Sequence, residues 1–69
     1  MDQPTTTFEK PTANLLGSDG NVFFLLGTCT RALKRAGLKA EAEELANRVM
    51  GAGSYDEALQ TMLQYVDAE

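Results

Sequence analysis

The chain has 69 residues, with ten carboxylates against six basic side chains for a formal charge of −4, one cysteine and no histidine. A lone cysteine excludes an internal disulfide, and the missing histidine removes the usual zinc sites and every His-dependent hydrolase arrangement. A chain of this size makes one small domain that buries only about 60% of the surface exposed when unfolded, so regular helix packing must replace the staples it lacks.

The longest apolar run, Val22-Phe23-Phe24-Leu25-Leu26, falls far short of the roughly 18 residues of a membrane span. Met1-Asp2-Gln3-Pro4 has neither the basic nor the apolar part of a secretory leader. Unpaired Cys29 suits a reducing compartment. The expectation is a soluble cytoplasmic protein with no membrane association.

In chain order, residues 1–14 read as a flexible N-terminal arm, polar, threonine-rich and broken by Pro4 and Pro11. The folded domain is expected over 15–69. Thr12 to Leu16 can run extended and lay Leu15 and Leu16 on the core. Gly17-Ser18-Asp19-Gly20-Asn21 is a turn cluster rich in N-cap residues.

A first helix is predicted from about Asn21 to Ala36, stopping at Gly37, with Lys34 and Arg35 in its last turn. Val22, Leu25, Leu26, Cys29, Ala32, Leu33 and Ala36 share one face at 3.6-residue periodicity. Phe23 and Phe24 fall outside that stripe, because neighbouring helical residues diverge by about 100°. One of them can cover the arm or a second helix, leaving the other partly exposed.

A second helix is predicted over about Ala40 to Met50, with Leu38, Ala42, Leu45 and Val49 inward and Glu44–Arg48 as an i, i+4 ion pair. Gly51-Ala52-Gly53 ends it. Ser54-Tyr55-Asp56-Glu57 has the form of a capping box. A third helix then runs from Tyr55 to about Asp67, with Tyr55, Leu59, Met62, Leu63 and Val66 inward. Tyr65 stands beside that stripe. Connections this short make successive helices neighbours, so the fold class is all-α: a compact three-helix domain with an extended N-terminal arm.

Candidate chemistry is sparse. Cys29 has no histidine to act as its base and lies on an apolar face, which favours a structural role. Asp19-Gly20-Asn21 resembles the start of a calcium loop, but Thr30 stands where a bidentate acid is needed. No carboxylate pair has the apolar bracket that would split its pKa values. The reading is of a non-enzyme with no catalytic residue, cofactor, metal or small-molecule substrate.

Charge is distributed unevenly. Residues 1–39 carry five cations against three acids, whereas 40–69 carry Arg48 against seven acids. One reading of this pattern is solvated helix faces plus attraction between the two halves. The other is an acidic array, Glu41, Glu43, Glu44, Asp56, Glu57, Asp67 and Glu69, able to oppose a basic DNA-binding surface on another protein. Phe23, Phe24 and Tyr65 are the candidate apolar anchors for such a partner.

The segment from Leu15 to Val66 resembles a family of small proteins of bacteriophages and other bacterial mobile elements. The resemblance is carried by Leu16-Gly17, Asp19-Gly20-Asn21, Phe23, Leu26-Gly27, Arg31-Ala32-Leu33, Lys34-Arg35-Ala36-Gly37, Tyr55-Asp56, Leu59, Met62 and Tyr65-Val66. Proteins of this size and type include ones similar to anti-CRISPR inhibitors of type I systems. The resemblance implies an inhibitor in a host bacterial cell that binds a type I CRISPR surveillance complex and blocks its access to DNA; separately, a monomer is expected in preference to an oligomer. The alternative from the residues is a nucleic-acid-associated accessory module using Arg31, Lys34, Arg35 and Lys39 on phosphate, and a third reading is a self-associating structural protein whose oligomer Phe23→Ala should break.

Overall fold

The computed structural model describes residues 9–15 and 20–68. Along them run a short strand β1 (Thr12–Ala13), helices α1 (Val22–Arg35), α2 (Lys39–Met50) and α3 (Tyr55–Met62), and a short strand β2 (Asp67–Ala68). The three helices form the predicted all-α domain. Residues 1–8 of the arm, Leu16, the Gly17-Ser18-Asp19 part of the turn cluster and Glu69 of the acidic array lie outside the described residues.

Helix α1 starts where the chain supplies a side-chain acceptor. Asn21 is extended, and its Oδ1 accepts the backbone N–H groups of Phe23 at 2.8 Å and Phe24 at 3.1 Å. Two donors that the helix itself cannot satisfy are thereby paired. Gly20 precedes this cap at φ +85°, a left-handed conformation that favours glycine. At the other end Gly37 takes φ +82°, its N–H bonds Lys34 O at 3.0 Å, and Leu38 N–H bonds Leu33 O at 2.8 Å. Those two bonds are a Schellman motif, with Leu38 packed against the core that contains Leu33. Leu38 then serves as the N-cap of α2 without a side-chain hydrogen bond.

Helix α3 begins on the predicted capping box. Ser54 Oγ accepts Glu57 N–H at 3.1 Å, while Glu57 Oε1 accepts Gly53 N–H at 3.0 Å. The carboxylate therefore ties down the residue before the cap and not the cap itself.

The core takes Leu25, Cys29 and Leu33 from α1, Ala42, Leu45 and Val49 from α2, and Ala58 and Met62 from α3, with Tyr65 and Val66 just beyond it. The α1 and α2 stripes follow the periodicity, except that Ala36 is exposed because it is the C-cap of α1. The third stripe is turned relative to expectation. Tyr55 and Leu63 are 48% and 39% exposed and Leu59 is half-buried, while Ala58, Thr61 and Tyr65 are buried. Thr61 can enter because its hydroxyl donates to Glu57 O at 2.9 Å, leaving its methyl for the core.

The last helix is also shorter than predicted. It ends at Met62 and continues as a tight turn in which Tyr65 and Val66 N–H groups both bond Met62 O. The turn brings both side chains inward and frees the chain to run extended. Asp67–Ala68 then pairs in parallel with Thr12–Ala13, and Asp67 N–H bonds Pro11 O at 2.9 Å. This long-range pairing corrects the helical assignment of residues 63–67. It also holds the end of the expected arm: Ala13 is buried, and Lys10 Nζ reaches Leu63 O at 3.1 Å and the Asp67 carboxylate at 3.6 Å.

Candidate interaction surfaces

The outer face of α1 presents two exposed aromatic rings together with the main group of cations. Phe23 is 66% exposed and Phe24 53%. Neither ring covers the core. The Asn21 cap fixes both backbone N–H groups at the first turn, and the helical phase of the two residues turns their rings into solvent. One and two turns further on lie Gly27 and Thr28, then the exposed side chains of Arg31, Lys34 and Arg35, with Lys39 at the start of α2. Thr28 and Thr30 donate their hydroxyls back to Phe24 O and Gly27 O, each at 3.1 Å. Arg31 and Arg35 also line a small cleft of about 190 Å³ with Thr28 of the same helix and with Thr12 and Asn14 at the β1 segment.

The acids of the second half do not form one uniform array. Glu43, Glu44 and Asp56 are exposed and Glu41 is half-buried. Glu57 is exposed but used as the helix cap, and Asp67 is paired with Lys10. Attraction between the two halves is seen at Lys10 and Asp67. Among the described residues the Lys10–Asp67 contact is the observed ion pair, and the α1 cations stay apart from the acids of α2 and α3. Both charged faces are left to solvent or to a partner.

Tyr65 is not a surface anchor. It is 5% exposed, its hydroxyl accepts a hydrogen bond from Arg48 Nη1 at 3.1 Å, and the guanidinium lies 5.6 Å from the ring centroid. The same Nη1 reaches Gln64 Oε1 at 3.1 Å. Burial raises the phenol pKa above its usual value; hydrogen-bonded Arg48 opposes the rise, and the Glu44 carboxylate adds to it. The expected Glu44–Arg48 pair is thus replaced by a bridge through the Tyr65 hydroxyl. Burying Tyr65 takes it from the partner-binding set and makes it a polar clamp between α2 and the end of α3. Periodicity carries a trace of this: Ala58, Thr61, Met62, Tyr65 and Val66 recur at helical spacing, but a threonine in that row hides it.

Cys29 is fully buried, and burial pushes its thiol pKa up from 9.0 to about 11. A protonated thiol inside an apolar stripe is chemically inert at neutral pH. No group of three metal-ligating side chains occurs among the described residues, and no helix there is long and apolar enough to cross a membrane.

An apolar groove of about 290 Å³ separates the start of α1 from α3, lined by Leu15, Leu25, Tyr55, Leu59 and Leu63 with Gly20 and Asp56. It explains how Tyr55 and Leu63 can be exposed yet adjacent to the core. The structure therefore divides the predicted binding residues between two places. Phe23 and Phe24 share α1 with cations, whereas Glu41, Glu43 and Glu44 lie on α2 and Asp56 and Glu57 on the first turn of α3. No protein-family model, curated protein or solved structure matches the chain.

Proposed function

We propose that this chain is a non-enzymatic protein-binding inhibitor whose acidic face, Glu41, Glu43 and Glu44 with Asp56, docks on the basic DNA-binding surface of a host complex. The observation that supports it most is that Glu43, Glu44 and Asp56 are exposed and that none of the four carboxylates makes an ion pair among the described residues, the nearest approach being the Tyr65 hydroxyl between Glu44 and Arg48. An anionic face held on rigid helices satisfies the lysines and arginines that would otherwise hold phosphates, and long-range attraction speeds the encounter. The resemblance to small mobile-element proteins supplies the target class, a type I CRISPR surveillance complex in a bacterial host. Glu57 and Asp67 contribute charge to this face but are already engaged in a cap and an ion pair.

The test is capture of the complex from a lysate with an active type I system, comparing the native chain with a Glu43→Lys/Glu44→Lys variant. The native chain retains the complex at low salt and loses it as salt rises, while the variant fails at both. Equal retention by both chains contradicts the acidic-face reading.

The α1 cations support a second reading, an accessory module that contacts nucleic acid directly. Arg31, Lys34, Arg35 and Lys39 are exposed and make no ion pair among the described residues, a placement suited to phosphate. Direct binding of labelled DNA that disappears in an Arg31→Ala/Lys34→Ala/Arg35→Ala variant would favour it over the inhibitor.

A further inference from the structure

The cleft between β1 and the second half of α1 collects polar groups that the fold does not use. Strand alternation sends Ala13 into the core and leaves Thr12 and Asn14 exposed on the opposite side. Across from them, a spacing of four residues sets Arg31 and Arg35 on one face of α1, about 6 Å apart along its axis. All four side chains line the same cleft of about 190 Å³. A second hollow of about 250 Å³ shares Thr12, Ala32 and Arg35 with it, so the two adjoin as one trough along the β1–α1 seam.

The charge in this trough is one-sided. No carboxylate lines either hollow, and Asp67, the pairing partner of Thr12, is engaged by Lys10. The side chains of Thr12, Asn14, Arg31 and Arg35 make no hydrogen bond or ion pair among the described residues. The negative end of the α1 dipole accounts for a cation in the last turn, where Arg35 stands, but Arg31 lies a full turn earlier. Two like charges at i, i+4 repel, and an anion between them turns that repulsion into attraction. The Thr12 hydroxyl and the Asn14 amide offer neutral donors from the facing wall. That wall is fixed in advance, because β1 pairs with β2 and Lys10 bonds Leu63 O.

We infer that this cleft seats a phosphate monoester, the terminal phosphate of a nucleotide, between Arg31 and Arg35, with Thr12 and Asn14 donating from β1. Two guanidiniums match a group that carries about two negative charges, and their planar forks suit its oxygens. A terminal group enters the trough from one side, whereas a diester must lead chain both in and out. Lys34 and Lys39, exposed and outside the cleft, remain for further phosphates of a strand. The source of the phosphate rests on the nucleic-acid reading of these cations, while the seat rests on the cleft alone.

Amide resonances of the isotope-labelled full chain, titrated with thymidine 5′-monophosphate at low salt, test the seat. Ala13, Asn14, Ala32 and Arg35 should shift together, and thymidine without its phosphate should leave them in place. Asn14→Asp keeps the size of the side chain but sets a carboxylate opposite the arginines. It should weaken binding roughly tenfold or more, with helical circular dichroism unchanged, and Arg31→Gln at its exposed position should do the same. Shifts confined to other residues, no shifts at all, or equal binding by Asn14→Asp overturn the inference. A 5′-phosphorylated oligothymidylate separates the two sources of the phosphate. Bound more tightly than the mononucleotide, and weakened by Lys34→Ala/Lys39→Ala, it makes a strand end the ligand. Bound no more tightly, it leaves the seat to free nucleotides and contradicts the nucleic-acid reading alone.

Discussion

Phe23 and Phe24 at the start of α1 and Tyr65 after α3 are all aromatic residues beside the stripe expected to form the core, and the fold treats them in opposite ways. The phenylalanines are left 66% and 53% exposed, whereas Tyr65 is 5% exposed. Hydrophobicity does not explain this, since the ring carrying a polar hydroxyl is the one taken inside. The difference lies in neighbours. Leu25, Cys29 and Leu33 already fill the inward face of α1, and the helical phase of Phe23 and Phe24 turns their rings away from it. Tyr65 meets Arg48 across the domain, and that guanidinium both bonds the hydroxyl and covers the ring. A buried polar tip with a partner costs little, whereas a second apolar row on a filled helix has nowhere to go.

The comparison predicts unequal consequences of truncation. Tyr65→Ala should lose about 3–5 kcal/mol of unfolding free energy in urea titration, a large part of what a chain this size has. Tyr65→Phe should lose about 1 kcal/mol, the share of the hydroxyl and its Arg48 bond. A Tyr65→Ala variant as stable as the native chain would break the distinction between the two regions.

Alkaline pH sharpens it from another side. The folded Cys29 thiol has its pKa raised by burial from 9.0 to about 11, so the folded state favours the protonated form. Stability should be complete below pH 9 and decline as pH climbs to about 11, by about 2–3 kcal/mol in total. The Tyr65 phenol, raised in the same direction, adds to the loss at the upper end of that range. Urea midpoints measured from pH 7 upward should fall for the native chain, and Cys29→Ala should flatten the portion that begins near pH 9.

Asn21→Ala should cost about 1 kcal/mol, because two N–H groups lose their acceptor at the end of α1 where the rings diverge. Smallest of all, Phe23→Ala and Phe24→Ala should each change monomer stability by less than about 0.5 kcal/mol in the same titration. A large loss at either phenylalanine would mean that it packs in the fold after all.

Much of the fold was legible from local chemistry. Asn21, the Gly37 stop, the Ser54–Glu57 cap and the α1 and α2 stripes each depend on residues a few positions apart. What was not legible depends on distant partners. The Asp67–Ala68 strand exists because Thr12–Ala13 is there to pair with it, and no residue near Met62 announces the helix end as a glycine or proline would. The burial of Tyr65 depends on Arg48, seventeen positions away. For the candidate surfaces, the roughly 100° divergence of neighbours on a helix predicts that one of Phe23 and Phe24 covers the arm or a second helix, whereas the fold leaves both exposed. The division of anchors and acids between α1 and the other two helices needed the packing, because sequence supplies the charges but not which faces point outward together.

We propose that the acidic face replaces DNA on a basic surface of a host complex. The most direct measurement is competition: purified type I surveillance complex, the full chain at saturation, and increasing amounts of duplex DNA carrying the complex's target. Displacement of the chain by DNA in proportion to site occupancy, with no binding by the Glu43→Lys/Glu44→Lys variant, is the predicted result. A chain that stays bound while the complex fills with DNA, or that never binds the complex, would contradict it.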